Sequence, residues 1–197
     1  MLNEVIRHFK SAFILLVIFT IMTGGIYPLV VTWIAQIFFS WQANGSMIEN
    51  NDKLIGSILI GQSFDSADYF WGRPSATSPY PYNAASSSGS NLGPSNPLFL
   101  DSVTNRVMNI KKIDIHNMQL IPVDLVTSSS SGLDPEISPK AAYYQADRIA
   151  SRRHLSHQTV ISLIQSKIKK RSLFILGEPR VNIFELNLAL DKLGRGA

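Results

Sequence analysis

Cysteine is absent from the 197 residues. That excludes a disulfide framework and any thiolate metal or redox site, and it is compatible with either side of a membrane. The short signatures of catalysis are missing too: there is no glycine-rich phosphate loop ending in Gly-Lys-Ser/Thr, no Gly-x-Gly-x-x-Gly after a strand, no Gly-x-Ser-x-Gly elbow and no His-Glu-x-x-His. Charge is lacking from one long stretch, because no Asp, Glu, Lys or Arg occurs between Lys10 and Glu49.

That stretch is the dominant feature. From Ser11 to Phe39 the chain is almost wholly apolar, and about 20 such residues cross a hydrocarbon core of roughly 30 Å. Counting from Ala12 brings Tyr27 and Trp33 near the far interface, with Ile34 to Phe39 left to project or tilt. A cleaved secretory signal is the competing reading, with Arg7 and Lys10 as its basic region. It fits poorly, since cutting after Ala35 or Ala43 would set Trp33 or Trp41 where a small side chain is required. Gly24, Gly25 and Pro28 interrupt the span. Small residues let helices approach closely, so Met22 to Pro28 is expected to meet a partner helix. Arg7 and Lys10 precede the span and Glu49 and Asp52 follow it, which predicts a cytoplasmic N-terminus. The expected organisation is a cytoplasmic segment at 1–11, a transmembrane helix with its extension at 12–39, a connector at 40–52 and an extracytoplasmic domain at 53–197, all in the cell (inner) membrane.

The net charge of +4 hides an asymmetry. Glu49 to Pro139 carries five basic against nine acidic residues, whereas Lys140 to Ala197 carries eleven against four. The cationic clusters Arg148, Arg152, Arg153 and Lys167, Lys169, Lys170, Arg171 are read as solvated helix faces near C-termini rather than as a nucleic-acid or anionic-membrane surface.

Periodicity and punctuation supply the elements. Strands are expected over Lys53–Gln62, over Met118–Thr127 with Pro122 at an edge, and over the apolar Ser172–Gly177. Helices are expected from about Pro97 to Lys112, from Pro139 to Arg153 capped by Ser138, and from Ser156 through Lys167. A last helix runs to Leu193 behind a capping box of Asn182 and Glu185. This mixture is an α/β or α+β domain behind a single transmembrane helix. Between Pro74 and Pro97 lie 24 residues of Pro, Ser, Gly, Asn, Ala, Thr, Leu and Tyr without an apolar period. Tyr80 and Tyr82 argue that this loop packs, because a flexible linker has no use for large rings.

Candidates for chemistry are few. His154 and His157 are three apart, but Arg152 and Arg153 beside them would repel a metal cation. Asp124 and Asp134 flank four serines with no histidine base nearby in sequence. The stretches Ser87–Pro97 and Ser129–Pro139 are alike, each serine- and glycine-rich and each leading into a helix N-terminus. Such ends attract anions or are simply capped, and the capped reading is favoured. Asp191 to Gly194 begins like the DKTGT phosphorylation motif of P-type pumps, and Leu193 breaks it.

Four long pieces carry a resemblance: LIGQSFDSADYFWGRPSA, PYNAASSSGSNLGPSNP, PVDLVTSSSSGLDPEISPKAAYYQADRIASRR and LGEPRVNIFELNLALDKL, in this order behind one N-terminal span. Together they closely resemble the C subunit of the Kdp-type potassium-transporting ATPase, over nearly the whole chain. The resemblance implies a complex with a potassium-channel-like subunit, an ATP-hydrolysing P-type subunit and a small single-span subunit, all in the lipid bilayer and with no nucleic acid. It implies a non-catalytic accessory role as a catalytic chaperone that raises the ATP affinity of the pump subunit. No tightly bound cofactor, metal site or catalytic residue is expected, and the family's nucleotide-linked glutamine falls on Gln145. The predicted topology puts Gln145 outside, where ATP is scarce, and an indirect effect needs only a preference for one pump conformation. Gly24, Gly25, Pro28, Tyr80, Tyr82, Asn83 and Asn91 are the expected partner-facing residues, the loop at 74–97 lying near the ion entrance. The alternative is a stand-alone membrane-anchored binding or hydrolytic domain.

Overall fold

The structure, a computed structural model, describes residues 1–50 and 53–194. The last residues of the expected connector, 51 and 52, and those of the expected domain, 195–197, lie outside the described residues. Two compact units divide the chain, residues 1–57 and 58–197.

The first unit is built on one continuous helical rod, Leu2–Phe38, 37 residues long. It comprises α1 (Leu2–Ile21), a π-helical turn (Met22–Ile26) and α2 (Tyr27–Phe38). The wide turn has a local cause. Pro28 has no N–H to give the carbonyl four residues back, and its ring would clash there, so the helix widens over Gly24 and Gly25 instead of breaking. Thr23 Oγ1 donates to the Phe19 carbonyl at 2.6 Å. At about 1.5 Å per residue the rod is roughly 55 Å long, more than a bilayer core needs. None of its large apolar side chains is buried. This is the single apolar N-terminal helix expected from the charge-free stretch, and its length and composition are consistent with membrane anchoring. A short helix α3 (Ser40–Ala43) and an antiparallel hairpin of β1 (Met47–Asn50) and β2 (Lys53–Ser57) complete the unit. The expected strand to Gln62 stops at Ser57, beyond which residues 58–60 turn.

The second unit is a mixed α/β domain. Residues 58–96 contain no helix or strand. Helix α4 (Pro97–Ile113) follows, its Asn96 side chain accepting from the Leu98 amide. The strand expected at Met118–Thr127 does not form. Pro122 denies the ladder a donor, and the segment makes one 3-10 turn at Val123–Leu125 with Met118, Leu120 and Val123 exposed. The sheet is small: β3 (Glu136–Ile137) and β4 (Ile168–Lys169) flank the central β5 (Arg180–Asn182), both antiparallel to it. Around it pack α5 (Pro139–Tyr144), α6 (Ala146–Arg153), α7 (His157–Lys167) and α8 (Ile183–Leu193). Phe70, Ile149, Val160, Ile164, Val181, Leu186 and Leu190 form the centre of the core.

Two further expectations are corrected. The helix from Pro139 to Arg153 breaks at Gln145, because competing donors occupy its carbonyls: Gln145 Nε2 takes that of Ala141 and Asn117 Nδ2 that of Tyr144. The apolar Ser172–Gly177 is no buried strand but an exposed tight turn, with Leu173 and Phe174 at positive φ.

Candidate functional site

The polar residues converge on one segment, Ala67 to Arg73, which has no regular structure of its own. Lacking a helix or strand ladder, its backbone must find partners elsewhere. Gln145, at the α5–α6 break and 1% exposed, supplies several. Its Oε1 accepts from the Trp71 amide at 2.8 Å and from Arg148 Nη2 at 2.7 Å, while its Nε2 donates to the Trp71 carbonyl at 3.1 Å. Asn187, on the buried face of α8, does the same for Phe70, bonding its amide and its carbonyl at 2.9 Å each.

Two arginines complete the strap. Arg148 is 5% exposed and lies 3.9 Å from the Trp71 ring centre. Its Nη1 donates to the Ala67 and Tyr69 carbonyls. Burial lowers its pKa to about 10. Arg153, equally buried, stacks on Tyr69 at 4.6 Å, donates to the Asp68 carbonyl and pairs with Asp191 at 2.8 Å. The reading of these cations as solvated faces is thus overturned for Arg148 and Arg153, though Arg152 is exposed. A guanidinium presents several donors in a plane and an apolar face to an aromatic ring, which suits it to bind a carbonyl-rich bend.

Arg73 carries the strap into the two serine-rich loops. It pairs with Asp134 at 3.1 Å and donates to the Ser128 carbonyl, while its Nε is buried without a partner among the described residues, beside a cavity of about 270 Å³ lined by Phe64, Asp65, Trp71, Pro81 and Tyr82. The loops themselves pair: the Ser88 amide donates to the Ser131 carbonyl, and a Cβ on Gly132, whose φ is +68°, would lie 2.6 Å from the Ser88 carbonyl oxygen. Their helix starts are capped from within, Asn96 on Leu98 and Ser138 on Ala141.

The expected partner-facing residues separate. Tyr82 and Asn83 turn inward: the Tyr82 hydroxyl donates to the Arg73 carbonyl, and burial, with Asp134 and Asp65 adding to it, pushes its pKa up to about 12. Asn83 is buried, donating to the Ser78 carbonyl and through its amide to Thr77 Oγ1. Tyr80 and Asn91 are exposed. Gly24 and Gly25, in the π-helical turn just before α2 and its Pro28, leave open space among the described residues where side chains would stand.

The remaining candidates are occupied structurally. Asp124 accepts from the Ser138 amide, and Asp134 from Arg73 and the Glu136 amide. His157 pairs with Asp147, and His154 ends α6 in the left-handed conformation. Among the described residues no three His, Asp or Glu are grouped to hold a metal ion. Asn187 was not singled out by the sequence, and Asp191 only as the start of a broken DKTGT-like run. Asn187 had a legible signal, a polar residue on the apolar stripe between Leu186 and Leu190.

Comparison with known proteins covers the same ground from end to end. Residues 9–192 match the family described as KdpC: K+-transporting ATPase, c chain. The chain is 53% identical over 188 residues to the potassium-transporting ATPase KdpC subunit of Methylococcus capsulatus, covering 95% of this chain and 99% of that one. It is 54% identical to that of Herpetosiphon aurantiacus, covering 94% and 96%, and 50% identical to that of Dechloromonas aromatica, covering 98% and 100%. On a match of this extent, the chain belongs to the KdpC family of K+-transporting ATPase c chains.

Proposed function

We propose that this protein is the accessory subunit of an ATP-driven potassium uptake complex, without catalytic chemistry of its own. The observation that carries the reading is the end-to-end match to potassium-transporting ATPase KdpC subunits. In this reading the apolar rod spans the bilayer with its N-terminus cytoplasmic, and Met22 to Pro28 packs on a helix of a channel-like, pump or small single-span subunit. The domain stands outside, with Tyr80 and Asn91 offered to the surfaces near the ion entrance.

The subunit raises ATP affinity by favouring one pump conformation, and a differential binding of about 1–3 kcal/mol is enough for that. Gln145 serves this role as a positioning residue: its amide holds Trp71 and Arg148, and hence the attitude of the loops beyond Arg73. A tagged chain solubilised in mild detergent from cells expressing the transport operon should bring down the pump and channel-like subunits. Recovery of the tagged chain alone would favour a free-standing anchored domain.

A further inference from the structure

The turn Leu173–Leu176 has a composition that a water-facing loop does not need. Its four consecutive side chains, Leu173, Phe174, Ile175 and Leu176, are 78%, 89%, 75% and 55% exposed. Leu173 and Phe174 sit at φ +50° and +65°, where bulky residues are uncommon, and there they form the outward bend. Part of the backbone is provided for internally: the Ser172, Phe174, Ile175 and Leu176 amides donate to carbonyls of Arg171, Ser172 and Leu176.

Basic residues flank this apolar tip in sequence. Of the five from Lys167 to Arg180, Lys169, Arg171 and Arg180 pair with Glu185, Glu178 and Glu136. Lys167 and Lys170 have no carboxylate in pairing range among the described residues.

We infer that the Leu173–Leu176 turn dips into an anionic phospholipid leaflet, with its apolar side chains at the acyl boundary and Lys167 and Lys170 at the phosphates. Apolar tips with a basic collar bind membranes by these two terms together. The inference rests on the apolar rod anchoring the chain, since tethering supplies the high effective concentration that a four-residue tip needs.

The cysteine-free chain makes the test direct. Full-length Ile175→Cys, Ser162→Cys and Val17→Cys variants, each carrying one environment-sensitive fluorophore, are reconstituted into vesicles of phosphatidylcholine alone or mixed with phosphatidylglycerol, with spin-labelled lipid as quencher. Expected are a blue-shifted, quenched signal at position 175 in the anionic vesicles, its loss with Lys170→Glu or in neutral lipid, and a water-exposed signal at 162. Quenching at 17 with water exposure at 175 in both lipids would overturn the inference while leaving anchoring intact. Shielding at 175 only when pump subunits are assembled with the chain would overturn it in favour of a protein contact. An unquenched label at 17 would remove anchoring itself, and the inference with it.

Discussion

In residues 1–57 the large apolar side chains from Leu2 to Phe39 lie outside, whereas in residues 58–194 two arginines, three asparagines and a glutamine lie inside. Each pattern is costly in water and sensible in its own setting. An exposed apolar rod is stable where the solvent is hydrocarbon. Buried amides and guanidinium groups are stable where an irregular backbone leaves carbonyls and N–H groups to be satisfied. The difference teaches that the second unit stiffens loops with side chains where other domains use strands. Its sheet has three strands of two or three residues, and the polar strap around Ala67 to Arg73 does much of the sheet's usual work.

The comparison breaks most severely at Gln145. Gln145→Leu should lower stability by roughly 4 kcal/mol, since the Trp71 backbone and the Arg148 guanidinium each lose a buried partner. The thermal midpoint of the full chain in mild detergent should fall accordingly; an unchanged midpoint would mean that the strap is decorative. Gly132→Ala should cost about 3 kcal/mol, from its positive φ together with the clash against Ser88 and Thr77, whereas Gly93→Ala, in open space, should cost under about 1 kcal/mol.

Tyr82→Phe is a smaller lesion, about 1 kcal/mol for one hydrogen bond. It has a pH signature. The folded chain holds the Tyr82 hydroxyl neutral up to about pH 12, against about 10 when unfolded, so its contribution is complete below pH 10 and is lost as the pH rises through 12. The stability gap between wild type and variant should therefore narrow across that window in alkaline unfolding experiments. In the rod, Gly25→Leu should change the stability of the isolated chain by less than about 0.5 kcal/mol, because a Cβ there would meet none of the described residues within 4 Å. Its expected effect is on assembly: less complex should be recovered than with Val17→Leu, and equal recovery would remove the small-residue interface.

Much of this was legible in the sequence where a local rule has one physical outcome. The charge-free stretch became the rod, and Ser138, Ser156 and Asn182 cap the helices at the expected places. The failures lie where one pattern has two outcomes. An apolar hexamer closed by glycine suits a buried strand or a projecting tip, and Ser172–Gly177 is the tip. A cation at a helix end suits water or a distant carbonyl, and Arg148 and Arg153 found the carbonyls of Ala67 to Tyr69, some 80 residues back. Contacts of that separation leave no periodic trace. The strands of the small sheet, two or three residues each, are too short to show alternation, and none of them was among the expected strands.

The most direct measurement is potassium-stimulated ATP hydrolysis by the purified pump and channel-like subunits, titrated with ATP in the presence and absence of this chain. The accessory-subunit account predicts that hydrolysis depends on the chain and that its ATP requirement falls when the chain is bound. Full potassium-stimulated activity at unchanged ATP affinity without the chain would contradict it.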